Sequence, residues 1–241
     1  MKAVEILAQL ESLAANQWGI ITTAQAQREG ISRLHINRLA VSEILTRARR
    51  GIYFLPSVQL GPLTDVREAW ISLEPNLFAV ERIDADNKIV VSHASAALIH
   101  SIGDLIPNTQ TFSASLRKQT SQNDIHIYDD REIEVGDIEN IDGSPVTSVE
   151  KTVEDLASQI MEFNYLATLV VDSLRKEGVR LKSLAKRLNP VSAAYGFNSG
   201  KDLLAACWEE AGADEDNEEL RDRFFISAGT GVETRSFRDS R

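Results

Sequence analysis

The chain has 241 residues, 43% of them hydrophobic, and a net charge of −10, which suits one or two domains with a real core. Its single cysteine, Cys207, excludes an intrachain disulfide and a cysteine-rich zinc site. No run approaches the ~18 apolar residues of a membrane span, and the first residues lack the uninterrupted apolar core of a signal peptide. We therefore expect a soluble, cytoplasmic protein.

The N-terminal segment predicts three helices. The first, over residues 2–16, has its apolar side chains near one side. Thr22 begins a capping box with Gln25, which opens a helix that runs to Glu29 and ends before Gly30. Ser32 is suited to cap a third helix, over about residues 33–42. Two short helices joined by a tight turn that contains glycine are typical of a helix-turn-helix.

The helix over residues 33–42 has two different faces. Ile36, Leu39 and Ala40 have the spacing of a core-facing stripe. The opposite face suits a DNA major groove, because arginine pairs with guanine, asparagine pairs with adenine and an apolar side chain contacts the thymine methyl. The outward residues are Arg33, Leu34, Asn37 and Arg38, with His35 near the boundary.

A β-hairpin is predicted after these helices, from the β-prone runs 44–48 and 52–55 around Arg49-Arg50-Gly51. Arg47, Arg49 and Arg50 at its tip are suited to phosphates or to a minor groove, although an ordinary solvated turn would look the same. With two capped helices in front of it, the hairpin favours a DNA-binding winged helix. The predicted DNA-binding residues are Thr22, Thr23, Ser32, Arg33, Leu34, His35, Asn37, Arg38, Arg47, Arg49 and Arg50.

The charge is unevenly distributed along the chain. Residues 1–55 contain seven Lys or Arg and four Glu, a net charge of +3, so the rest of the chain carries −13. Such asymmetry indicates a segment that faces nucleic acid. A charge of only +3 predicts weak binding by a lone domain, so two copies on paired half-sites would bind better.

The remaining chain predicts strands first and helices afterwards, an α+β arrangement. Gly61-Pro62 is a likely boundary, so we expect a winged-helix DNA-binding domain over residues 1–60 and an α+β domain over residues 61–241 with an acidic C-terminal segment. Local signals there predict a cap at Ser92, a strand beginning at Ile133, a capping box at Thr147 opening a helix to Met161, and a helix break at Asn189-Pro190. The acidic run 209–219 is typical of a solvated segment.

Catalytic signals are weak. His93 and His100 stand seven apart rather than four, so they do not form a two-histidine metal helix. The segment from Gly196 to Asp202 imitates a phosphate loop, but it is one residue short and has Asp where Ser or Thr belongs. We therefore expect no enzyme activity, no cofactor and no metal site.

The order of motifs over about residues 18–157 resembles the AbiEi antitoxin family, the antitoxin half of type IV toxin–antitoxin pairs. The matching residues are Gly19-Ile20-Ile21-Thr22 with Gln25-Ala26, Gly30-Ile31-Ser32, Arg50-Gly51-Ile52-Tyr53, Ser92 to Leu98, and Asp142 to Ser148 with Glu150, Thr152 and Asp155-Leu156-Ala157.

This resemblance implies an N-terminal winged helix that represses its own promoter, at paired inverted sites, and a C-terminal domain that supplies antitoxicity. It also implies a nucleotidyltransferase-like toxin as functional partner, which the antitoxin need not contact directly. The sequence leaves open whether the protein binds DNA as a monomer or a dimer. Two alternatives remain: an enzyme that covalently modifies the partner toxin, and an interaction module that does not bind DNA.

Overall fold

The computed structural model describes residues 3–83, 88–129 and 133–211. It confirms the mixed α+β class. Backbone contacts define two compact units. The first contains the described residues up to Ser101 together with Leu105–Ser148, and the second contains Ile102–Asp104 together with those from Val149 onward. The boundary at residue 60 stays a prediction about function, whereas the packing divides the chain after Ser148.

The first unit begins with the predicted helices and a small sheet. Its elements are α1 (Ala3–Ala14), β1 (Ile20–Thr22), α2 (Thr23–Arg28), α3 (Arg33–Val41), β2 (Thr46–Arg49) and β3 (Ile52–Phe54). The strands form an antiparallel sheet in the order β1-β3-β2. Strand β1 was not predicted, because three residues are too few to show an alternating pattern.

The rest of the first unit is built on a second, mixed sheet. Its elements are α4 (Thr64–Leu73), α5 (Ala79–Ile83), β4 (Ile89–Val91), α6 (His93–His100), β5 (Gln110–Ala114), β6 (Ile125–Tyr128), β7 (Ile138–Ile141) and β8 (Ser144–Thr147). The strand order is β6-β5-β4-β8-β7. Strand β4 pairs antiparallel with β5 and parallel with β8, while β5 and β6 are parallel and β7 and β8 antiparallel.

The small sheet and the second sheet share one hydrophobic cluster. Ile20 of β1 and Ile52 of β3 are buried in it with Val66 and Trp70 of α4 and Phe112 of β5. The indole N–H of Trp70 also donates to the carbonyl of Ile89 at 2.7 Å. A second cluster lies among α1, α2, α3 and the hairpin. The winged helix therefore completes its core with residues that follow position 60.

The second unit consists of helices α7 (Val149–Ala157), α8 (Phe163–Leu174), α9 (Leu181–Ser192) and α10 (Gly200–Glu210). Gly200 lets α10 approach α9 closely, because a Cβ there would lie 2.0 Å from the carbonyl oxygen of Ala185. The Gly200 N–H donates to Oδ1 of Asn189 at 2.6 Å. Gly196 lies in a turn with a φ of +84°. The two glycines of the segment that resembles a phosphate loop therefore serve a turn and a helix contact.

Four local predictions needed correction. The Ser92 hydroxyl makes no cap bond to α6, because it accepts from Ser113 at 2.8 Å and lies 2.9 Å from Nδ1 of His93. The strand expected from Ile133 begins only at Ile138, after a 3-10 turn. Helix α7 begins at Val149 and ends at Ala157, before the predicted end at Met161. Pro190 lies inside the last turn of α9 rather than ending it.

The acidic run 209–219 lies outside the described residues from position 212 onward. Among the described helices, none combines the length and the apolar character that crossing a membrane requires.

Candidate nucleic-acid interface

The start of α2 is fixed by the predicted capping box. The Gln25 N–H donates to Oγ1 of Thr22 at 3.0 Å, and the Thr22 N–H donates to Oε1 of Gln25 at 3.0 Å. The Thr22 hydroxyl itself donates to the carbonyl of Pro75 at 2.5 Å. Thr22 and the following Thr23 are both buried. These two threonines position α2 and are not available for contact with DNA.

Helix α3 presents the predicted outward face. Ser32 caps it, with its Oγ 3.4 Å from the His35 backbone nitrogen and 3.1 Å from the His35 ring nitrogen Nδ1. Ile36 and Leu39 are buried in the core, as predicted. The residues turned outward are Ser32, Arg33, Leu34, Asn37 and Arg38, which are exposed, and His35, which is half-buried.

The α3 face combines unpaired charge with apolar surface. Within the described residues, neither the Arg33 nor the Arg38 guanidinium has a hydrogen-bond or ion-pair partner. Leu34 is 56% exposed and Val41, two helical turns further on, is 76% exposed. Val41 was not among the predicted residues, although its spacing of seven from Leu34 places both on one face. Free guanidiniums beside exposed aliphatic groups suit base edges in a major groove.

The β2–β3 hairpin forms the wing. Gly51 turns its tip with a φ of +79°, and its carbonyl accepts from the Thr23 N–H at 2.8 Å. This bond ties the wing to the start of α2. Arg47 and Arg50 are exposed, and Nε of Arg47 donates to the Arg49 carbonyl at 3.3 Å. The wing therefore offers two arginines to solvent.

The Arg49 side chain points toward the protein and away from solvent. Its guanidinium pairs with Glu68 at 2.9 Å and Asp124 at 2.6 Å, and donates to Oε1 of Gln122 at 2.9 Å. Burial alone would lower the pKa of Arg49, but the bonds to Asp124 and Glu68 raise it above its ordinary value. Burial raises the pKa of Glu68 against the opposing effect of Arg49. All of these contacts hold Arg49 within the protein, so Arg49 does not belong to the proposed interface.

Cys207, Ser92 and His93 are all buried in the described part of the chain. The described residues contain no group of three or more His, Cys, Asp or Glu side chains that could hold a metal ion. Burial raises the pKa of the Cys207 thiol to about 12, which makes it a poor nucleophile. Ser92 and His93 are both buried, and the His93 ring stacks on Tyr128 at 3.7 Å. These groups contribute to packing rather than to an open site.

Comparison with protein families matches residues 8–56 to a family described as transcriptional regulator, AbiEi antitoxin. This span contains α2, α3 and the wing, and the predicted resemblance is confirmed over it. No curated protein matches the chain. The motifs that follow position 56 lie outside the matched span.

Proposed function

We propose that this protein is a DNA-binding transcriptional autorepressor and the antitoxin of a type IV toxin–antitoxin pair. The observation that carries the DNA-binding role is the exposed face of α3, with Arg33 and Arg38 unpaired in the described chain. The family description over residues 8–56 supports the roles of regulator and antitoxin.

In this proposal α3 enters the major groove of double-stranded DNA and the wing contacts the backbone. Arg33 and Arg38 donate to guanine, and Asn37 is placed for adenine. Arg47 and Arg50 neutralise phosphates, which sets orientation without reading sequence. Residues 1–55 carry a net charge of only +3, so tight binding calls for two copies on inverted half-sites in the protein's own promoter.

The antitoxin role is assigned to the chain after the winged helix. The partner would be a nucleotidyltransferase-like toxin, neutralised with or without direct contact. Enzymatic modification of that toxin is the competing proposal. A change in the toxin's mass after incubation with this protein and a nucleotide would favour it.

The first prediction concerns the reading helix. We expect Arg33→Ala or Arg38→Ala to weaken binding to the DNA upstream of the protein's own reading frame by roughly 1–3 kcal/mol, the value of one bidentate base contact. Gel shifts on that DNA measure the effect, with Lys186→Ala, an exposed lysine of α9, as the matched control. Unchanged affinity in both arginine variants would contradict the assignment of α3.

The second prediction concerns Leu34 and thymine. We expect upstream DNA made with deoxyuridine, which lacks the thymine methyl, to bind the wild-type protein about fourfold more weakly, since one buried methyl-sized group contributes about 0.8 kcal/mol. Leu34→Ala should bind thymine DNA and uridine DNA alike, because it has lost the contacting side chain. Anisotropy titrations of both proteins with both DNAs give the interaction free energy between the Leu34 side chain and the thymine methyl group. An equal loss in both proteins would show that the methyls act through DNA shape instead.

A further inference from the structure

A polar loop lies beside the wing. It comprises residues 115–123, between β5 and β6, with the sequence SLRKQTSQN. It contains Arg117 and Lys118, its other side chains are mostly hydroxyls and amides, and the acidic Asp124 follows it directly before β6. Arg, Lys, Ser, Thr, Asn and Gln are the side chains that most often bind DNA phosphates. Nothing in the sequence connected this loop with the winged helix.

Arg49 joins the loop to the wing. Its Nη1 donates to Oε1 of Gln122 at 2.9 Å, and its Nη2 pairs with Asp124, directly after the loop, at 2.6 Å. The next residue along the wing is the exposed Arg50. The loop is therefore held within one residue of the wing's turn.

Helix α4 anchors both the wing and the loop. Glu68 binds Arg49 at 2.9 Å, and one turn later the Ser72 hydroxyl accepts from Nε2 of Gln122 at 2.9 Å. At the end of the helix, Oε1 of Glu74 binds Lys118 at 2.7 Å. These contacts fix the loop in place before any ligand binds.

The anchored loop leaves positive charge exposed. Both oxygens of the Glu74 carboxylate are already engaged, Oε1 by Lys118 and Oε2 by Nε of Arg82 at 3.2 Å. A cavity of about 220 Å³ beside them is lined by Lys88 and by residues 114–118, including Arg117. Arg117 is exposed and has no partner in the described part of the chain. Among the described residues of this surface, the Glu74 carboxylate is occupied by Lys118 and Arg82, and Asp124 is paired with Arg49. Arg117 is left free to bind a phosphate of a DNA backbone.

We propose that the 115–123 loop is a second phosphate-binding element, which extends the DNA surface beyond the wing. This inference rests on the proposed DNA-binding function. A duplex held by α3 and the wing continues past Arg50 onto the loop, where Arg117 neutralises a backbone phosphate. Arg49 is the positioning residue that keeps the loop and the wing together. The contact is independent of base sequence.

The test compares Arg117→Ala, Arg50→Ala and Lys186→Ala with the wild type, all in the full chain. Anisotropy titrations use the upstream DNA and an unrelated duplex of equal length over a range of salt concentrations. Each lost phosphate contact lowers the slope of log affinity against log salt by about 0.9. Raising the salt from about 50 to 200 mM should therefore weaken Arg117→Ala about threefold less than the wild type, on both duplexes. Lys186→Ala should match the wild type.

The outcomes separate the two proposals. If Arg50→Ala loses a contact and Arg117→Ala matches Lys186→Ala, the loop does not bind phosphate while the winged helix still binds DNA. If the wild type binds neither duplex, the proposed DNA-binding function fails and the inference fails with it. If Arg117→Ala loses affinity on the upstream DNA alone, the loop reads sequence and the proposal of a backbone contact is wrong.

Discussion

Replacing Arg49 by alanine should lower the free energy of unfolding of the full chain by about 3 kcal/mol, the lower end of what breaking a buried ion pair costs. The side chains of Arg49 and Glu68 are only 15% and 11% exposed. Removing the guanidinium leaves the Glu68 carboxylate buried without its partner. Urea denaturation measures the change. Arg47→Ala, a neighbouring exposed arginine, should stay within about 0.5 kcal/mol of the wild type.

The loss in the free energy of unfolding caused by Arg49→Ala should depend on pH. Burial raises the pKa of Glu68, and Arg49 opposes that rise, so the pKa is higher still in the variant. A raised carboxyl pKa means that the folded state binds a proton more readily than the unfolded state, so stability increases as pH falls through it. The gap between wild type and Arg49→Ala should therefore be smaller at pH 5 than at pH 7.5.

One control variant tests whether Glu68 causes the pH dependence. Asp124 also pairs with Arg49, but this pairing lowers its pKa, so it titrates below the pH 5–7.5 window. Adding Glu68→Gln to Arg49→Ala removes the unpaired charge and should abolish the pH dependence of the gap. If the difference in unfolding free energy between wild type and Arg49→Ala stays constant or widens toward pH 5, the unpaired Glu68 carboxylate is not the cause of the lost stability.

The second large effect is expected when the chain is truncated after residue 60, which should weaken its binding to DNA. The boundary at residue 60 predicts that residues 1–60 bind DNA weakly. The packing predicts that residues 1–148 bind at least about tenfold more tightly, a difference of about 1.4 kcal/mol in binding free energy. Ile20 and Ile52 are buried against α4 and the second sheet. Thr22 and Gln25 of the capping box bond to carbonyls of Pro75 and Leu77. A fragment that stops at residue 60 lacks all of these partners.

The truncation experiment scores two properties in parallel. Circular dichroism and gel shifts compare fragments 1–60 and 1–148 with the full chain, and rescue of cells that express the toxin reports antitoxicity. Equal DNA affinity of the two fragments would show that the winged helix needs nothing after residue 60. Rescue by residues 1–60 alone, or operator binding by residues 61–241 alone, would contradict the proposed division of labour.

The elements of the winged helix were predictable from sequence because their signals are local. The Thr22 capping box and the Ser32 cap are formed by residues within three positions of each other. The apolar spacing of Ile36 and Leu39 likewise predicted the buried face of α3 and, by exclusion, the outward one. The family resemblance rested partly on the motifs that contain Thr22, Gln25 and Ser32, and it is confirmed over residues 8–56.

Only the tertiary structure decided how the three wing arginines differ. In the sequence, Arg47, Arg49 and Arg50 look equivalent. In the structure, the strand register shifts between Arg47 and Arg49. The Arg49 side chain points toward the protein interior, where it pairs with Glu68 and Asp124. Those partners are distant in sequence, and no local pattern encodes which arginine meets a buried carboxylate. For the same reason the 115–123 loop could not be assigned to the wing before the fold brought Gln122 to Arg49.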